Sequence, residues 1–398
     1  MAVRRFPMNT LRAQEFYATV RRLAAERAVA PVAVEQLLRT TPRAAWPTLD
    51  RHPDLLNVGA LEHLGALLTA QMTRDPVQAL EIAELALSVA KALPAESYPP
   101  VIMAQTRATA WKDRGKIRSF LARHSEALED FAQAEREVNG FAVSQHERAI
   151  IHLNVAITFT ETDRFNEACE LLAACKQTFK DHGDTHLFVL AAFYEGVVLQ
   201  RLRNFREARE TYLLLIVSYT EIPKATLAAL HQAIGLCSIH LNDFDIAENN
   251  LNEAIRIHEE LGQPVDAVRP HHGKGTLCLR RGDFLGALAI FRTVRHQYLK
   301  HSLAEEAGLC GLQMVEVLLA LQRNEQAESL ARTIMSEFLA ASLNARAITA
   351  LGYLTEAIAS ERASPRFANE VHDYVLSLRC EPERDFAEPP PMAPMGAG

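Results

Sequence analysis

Cysteine is scarce in this chain and poorly spaced for chemistry. Its six copies, Cys169, Cys175, Cys237, Cys278, Cys310 and Cys380, include no C-x-x-C pair and follow no dense framework, so neither a disulfide scaffold nor a thiolate metal site is expected. Five of them fall in helical stretches among apolar neighbours and read as small buried hydrophobes. Long apolar runs are missing as well, none approaching the roughly 18 residues that span a bilayer. The opening MAVRRFPMNTLRAQEF carries arginines but no apolar signal core or small-residue cleavage site, which argues against secretion and for a cytoplasmic setting. Charge of one sign is not in large excess. A formal net charge of −7 over 398 residues gives no general pull towards nucleic acid or an anionic membrane.

Catalytic groupings are also lacking. The stretch HHGKGT (His271 to Thr276) has a phosphate-loop flavour, but Val268 stands where the first glycine is required and Gly275 where a Ser or Thr is required. His182 and His186 in HGDTH have H-x3-H spacing, yet no second Cys/His pair stands at a matching distance, and a solvated loop is expected. The pairs Glu259-Glu260 and Glu305-Glu306 read as solvated helix faces. No enzyme activity, cofactor or metal is expected.

What the chain does have is a period. A polar or glycine pair, an aromatic, two residues and an alanine recur as DRFNEA, RNFREA, NDFDIA and GDFLGA, with weaker copies RHSEA and RNEQA. The alanines are Ala127, Ala168, Ala208, Ala247, Ala287 and Ala327, so successive spacings are 41, 40, 39, 40 and 40 residues. Twelve positions before them stand Gly115, Ala156, Gly196, Gly235, Gly275 and the less suitable Val315. Four positions after the first five come Phe131, Leu172, Tyr212, Leu251 and Phe291. The physical reading is a helical hairpin in which small residues let two backbones approach, the large residue fills the gap, and the aromatic plugs the joint. One hairpin cannot cover its own apolar face, so neighbours stack to make a continuous core. The tripeptide Arg281-Gly282-Asp283, which has the letters of an adhesion signal, falls on such a joint and reads as punctuation.

This pattern resembles the tetratricopeptide repeat (TPR) family, whose unit is about 34 residues; the longer period implies helices extended by a turn or so. The resemblance covers roughly residues 46–380, and the copy with Trp111, Gly115, Ala127, Phe131 and Ala134 keeps the family's tryptophan. It implies an all-α fold, a right-handed α-solenoid of stacked antiparallel helix pairs forming a TPR-like superhelix. The expected organisation is an N-terminal helical cap over 1–45, about eight helix pairs over 46–380, and a disordered Pro/Gly-rich tail over 381–398. Ala79 marks an earlier second helix and Ala368 the closing one.

In a solenoid of this type the first helices line the concave side. The repeat register places Lys112, Lys116, Asn154, Tyr194, Gln200, Gln232, Arg269, His272, Thr276, Arg280 and Gln313 there, with Glu316. Asn154 stands where peptide-binding members of the family often have an asparagine that grips the ligand backbone, and the cations favour acidic groups. The family's full carboxylate clamp is not complete, because Leu190 and Tyr194 occupy the last two cation positions. The expected function is a non-catalytic scaffold binding a peptide or partner protein in the concave groove, with no nucleic-acid or membrane partner. Two alternatives remain. One is a TPR-type sensor and transcriptional regulator, whose degenerate helix-turn-helix would lie in Leu23–Thr40, with Ala28 in the turn and VAVEQLLR as the second helix. The other is an accessory subunit docking on a separate effector enzyme.

Overall fold

A computed structural model describes residues 10–72, 74–141, 145–341, 344–378 and 384–386. Every regular element among the described residues is helical. The chain divides into two compact units, residues 1–154 and 155–398.

The first unit holds α1 (Thr10–Thr40), a 3-10 helix (Arg43–Arg51), α2 (Val58–Met72), α3 (Pro76–Ala92), α4 (Pro100–Phe120) and α5 (His124–Val138). α6 (Gln145–Glu161) contains the boundary. The second unit continues with α7 (Phe165–Asp181), α8 (Thr185–Arg201), α9 (Phe205–Ser218), α10 (Lys224–His240), α11 (Phe244–Glu260), α12 (Pro264–Arg281) and α13 (Phe284–Lys300). It closes with α14 (Ala304–Ala320), α15 (Asn324–Ala340), α16 (Ala345–Ala359) and α17 (Pro365–Ser377). Within each unit, consecutive helices pack as antiparallel pairs. Stacked helix pairs of this kind make a TPR-like α-solenoid.

The repeat signature accounts for the packing. Ala79, Ala127, Ala168, Ala208, Ala247, Ala287, Ala327 and Ala368 are all fully buried. A Cβ added at Gly115 would come within 2.7 Å of Phe131, at Gly196 within 2.4 Å of Tyr212, and at Gly275 within 2.5 Å of Phe291. Each of these glycines therefore makes room for the large residue of its own hairpin. In the sixth copy, where Val315 replaces the small residue, the fit moves along α14: Phe338 packs over Gly308 and Ile334 over Gly311.

The turn inside each hairpin is also periodic. Ala122, Asp163, Arg203, Asn242, Gly282 and Gln322, each five residues before its repeat alanine, all have positive φ. Their neighbours close the same helix-ending pattern, as in Asn204 N–H to the Leu199 carbonyl at 2.9 Å and Asp283 N–H to Cys278 at 2.9 Å. The joint aromatics differ from a simple plug. Phe205 is half-buried and stacks flat on His240 of the next first helix, with ring centroids 4.0 Å apart, and Phe244 lies under Arg281. They tie one hairpin to the next.

Four further expectations need adjustment. Leu23–Thr40 is not helix, turn, helix: α1 runs without interruption through Ala28 and Pro31, burying Ala30 and Val34 and packing on α2. Pro31 is accommodated within the helix, and no turn separates a second element. Cys169 is exposed, unlike Cys175, Cys237 and Cys310, whose thiols are pushed up to about 12 by burial; Cys380 lies outside the described residues. The segment read as a tail includes Arg384–Phe386, and Phe386 packs against Tyr353, Phe367 and Tyr374 while Tyr374 donates to the Arg384 carbonyl at 2.7 Å. The remainder of 381–398 is outside the described residues. Finally, α17 packs more extensively on α14 than on α16, its neighbour in sequence.

Candidate functional site

The first helices carry the candidate residues, and each unit presents its own set. In the first unit Lys112 pairs with Asp113 at 3.4 Å. The Lys116 ammonium is pushed below the ordinary lysine range by burial; Asp113 works against that shift and the Lys112 charge adds to it. Asn154 turns its Nδ2 back to the Ile150 carbonyl at 2.7 Å, the habit of a short amide on its own helix. Beside them, Gln105 donates to both oxygens of Glu147 at 2.8 and 3.0 Å.

The second unit gathers a larger set. His272 of α12 meets Gln313 Oε1 of α14 through Nε2 and the Tyr298 hydroxyl of α13 through Nδ1 at 3.3 Å. Gln313 also donates to Thr276 Oγ1 at 3.4 Å. Burial pushes the His272 pKa down to about 4, against the hydrogen bond its Nε2–H donates to Gln313 Oε1, so the ring is neutral at pH 7. One helical turn earlier, Arg269 pairs with Asp266 at 3.3 Å while 35% of its side chain remains exposed. Burial disfavours its charge, but Asp266, Glu306, Tyr298 and Glu161 outweigh that and hold it above the ordinary arginine range. Tyr194 of α8 feels Arg269, Glu161 and Asp266; burial first, then Glu161, holds its phenol well above the ordinary range. His272, Thr276 and Gln313 thus form one hydrogen-bonded set across α12 and α14, with Arg269 one turn away on α12 and Tyr194 of α8 within range of its charge.

The other candidates sit at its margins. Gln200 accepts a long 3.4 Å bond from Tyr212, and Gln232 is half-buried on α10. Arg280 is exposed at the end of α12, and its charge bears on Glu316 and His240. His271 to Thr276 are internal to α12, with Gly275 against Phe291, so the phosphate-loop letters are helix. Arg281, Gly282 and Asp283 are the α12–α13 turn: Arg281 pairs with Glu248 at 2.7 Å, Gly282 has φ of 81°, and Asp283 accepts from Gly286 N–H at 2.9 Å.

Sequence reasoning missed Asp266, Glu306, Glu161 and Tyr298. Asp266 had a signal, standing one helical turn before Arg269. Tyr298 had none, because it belongs to a second helix and the repeat register selects residues on first helices. Among the described residues no group of three or more His, Cys, Asp or Glu side chains could hold a metal, and no helix is long and apolar enough to cross a membrane.

No protein-family model and no curated protein sequence matches the chain. Solved structures do share its fold. A signal-transduction ATPase with a tetratricopeptide repeat sensor from Pyrococcus horikoshii aligns over 90% of this chain and 53% of its own, at 13% identity and a TM-score of 0.52. This chain therefore spans about half of that protein. A Rap protein complexed with competence and sporulation factor aligns over 89% of this chain and 99% of its own, at 13% identity and TM-score 0.51. The quorum sensor NprR, in complex with its cognate peptide NprX, aligns over 80% and 87% at 11% identity and TM-score 0.54. Its apo form from B. thuringiensis aligns over 90% and 99%, at 12% and 0.52. At these identities the likeness concerns the fold: a TPR-like helical repeat.

Proposed function

We propose that this chain is a non-catalytic, peptide-binding regulatory scaffold whose second unit takes a peptide segment on the inner face of α8, α12 and α14. The observation that carries the reading is the hydrogen-bonded set of His272, Thr276 and Gln313, with Arg269 one turn away and Tyr194 within range of its charge. It combines a half-exposed cation with donors and acceptors fixed in place by neighbouring repeats. A neutral imidazole, an amide and hydroxyls can match both N–H and C=O groups of an extended chain, and Arg269 can take a carboxylate. The peptide-bound NprR, similar in fold, supports a peptide over other ligand classes. The continuous α1 gives no separate recognition helix, so a DNA-reading role gains no support from it. A cytoplasmic scaffold remains the reading of its setting.

The test is selection of a randomised decapeptide phage library on the full-length protein. The expected outcome is enrichment of a sequence class whose binding weakens at least tenfold in Arg269→Ala and Gln313→Ala, with thermal midpoints within a few degrees of wild type. Enrichment that survives both substitutions would place the binding surface elsewhere.

A further inference from the structure

The second helices share a solvent-facing pattern, and α9 departs from it. Ala208, Tyr212 and Leu215 seat α9 in its unit. On the opposite side, five, six and nine residues after the repeat alanine, stand Leu213, Leu214 and Val217, exposed by 45%, 65% and 81%. At the same positions α11 carries Asn252, Glu253 and Arg256, and α13 carries Arg292, Thr293 and His296. α15 carries Arg332, Thr333 and Ser336, and α7 has no apolar residue there larger than alanine. The repeats thus serve as internal controls: closing a hairpin needs no large apolar side chain at these places. An aliphatic ridge that adds nothing to its own hairpin marks a contact surface.

The charges that frame the ridge point to its occupant. Arg206 and Glu210 continue the stripe towards the start of α9, one turn apart on the helix. Glu221 stands just past the helix end. All three are exposed, and none forms an ion pair within 4.0 Å among the described residues. Lys224, the next cation in sequence, is already held by Glu260 at 3.3 Å. A stripe with a free cation at one end, a free carboxylate at the other and leucines between is complementary to itself when turned end for end. Two copies of α9 laid antiparallel about a two-fold axis set Leu213 against Leu214 and Val217 over the stem of Glu210. The same turn brings Arg206 of each copy to the end where Glu221 of the other stands. A parallel pair would instead oppose Arg206 to Arg206 and Glu210 to Glu210.

We propose that the exposed face of α9 is a self-association surface, on which a second copy of this chain docks its own α9 antiparallel about a two-fold axis. The surface uses none of the candidate peptide-binding residues, so it stands or falls independently of the peptide-binding reading above.

Sedimentation velocity on the full-length protein tests it. Wild type is expected to run as a dimer at about 10 µM, the micromolar range of a modest interface. Leu214→Glu places a charge on an exposed position, so the helix content read by circular dichroism should not change. It should raise the dimer dissociation constant about a hundredfold, as loss of a central apolar contact does. Arg206→Glu and Glu221→Arg should each weaken the dimer about tenfold by setting like charges against each other. Mixed one to one, these two charge variants should form a heterodimer as tight as the wild-type dimer, because every facing pair then has opposite signs. A wild-type chain that stays monomeric up to about 100 µM overturns the inference and leaves the ridge to a different protein. A dimer indifferent to Leu214→Glu, or charge variants that gain nothing on mixing, overturns it as well.

Discussion

The residue that closes each hairpin turn carries a positive φ whether or not it is glycine. Only Gly282 adopts this region without a Cβ; Arg203, Asn242 and Gln322 occupy it at φ of 57° to 64°. Left-handed backbone costs a non-glycine residue roughly 1 kcal/mol. Gly282→Ala should therefore lower stability by about 1 kcal/mol, and Gln322→Gly should raise it by up to the same amount, partly offset by the freer unfolded chain. Urea denaturation midpoints read both changes. The glycines inside the hairpins answer to packing instead. Gly196→Ala would set a methyl 2.4 Å from the Tyr212 ring, and an overpacking cost of about 1–3 kcal/mol is expected in the same measurement. His272 sets a pH dependence. Its folded pKa of about 4 lies below the ordinary 6.5, so the unfolded chain takes up a proton first as pH falls. The stability tied to the neutral ring is thus complete above pH 6.5 and is lost as pH drops towards 4. His240 and His271 are shifted in the same direction by burial. A thermal midpoint that stays flat between pH 7 and 4.5 would contradict this.

At the scale of elements, hairpin α4–α5 shows a device the repeat pattern does not contain. Asp130 is buried, accepting from Arg114 at 2.6 and 2.9 Å and from Arg118 at 2.9 Å, while Trp111 lies under the charges of Lys91 and Arg114. Removing one partner strands buried charge, so Asp130→Ala should destabilise the first unit by about 3–5 kcal/mol. α1 is fastened comparably. The Tyr98 hydroxyl donates to Glu26 at 2.6 Å and accepts from Val58 N–H at 3.1 Å, which seats the helix against the start of α2. Such links are invisible in the sequence because their partners stand 40 to 72 residues apart and belong to no repeat position. The placement of α17 was equally hidden. Ala368 keeps the period of Ala327, and the period describes how a helix faces its hairpin partner, not whether the end of the array folds back on an earlier helix.

For the molecule as a whole, the fold was legible because six copies kept one register, and every repeat alanine is indeed sealed in the core. The candidate surface was legible in part. The register found Arg269, His272, Thr276 and Gln313, since a period that locates the packed side of a helix also locates the side left over. It could not show which of these meet across repeats, nor that acidic groups from α6, α12 and α14 gather round Arg269, because that depends on how far each repeat turns from the last. Lys112, Lys116 and Asn154 belong to the first compact unit and the later candidates to the second. The central claim is that the inner face of the second unit receives a peptide. Photo-crosslinking tests it most directly, using a library-selected peptide that carries a benzophenone, with mass spectrometry to locate the adducts. The account predicts adducts on α8, α12 and α14 between Tyr194 and Gln313. Adducts confined to the second helices α9, α11 and α13, or to α1, would contradict it.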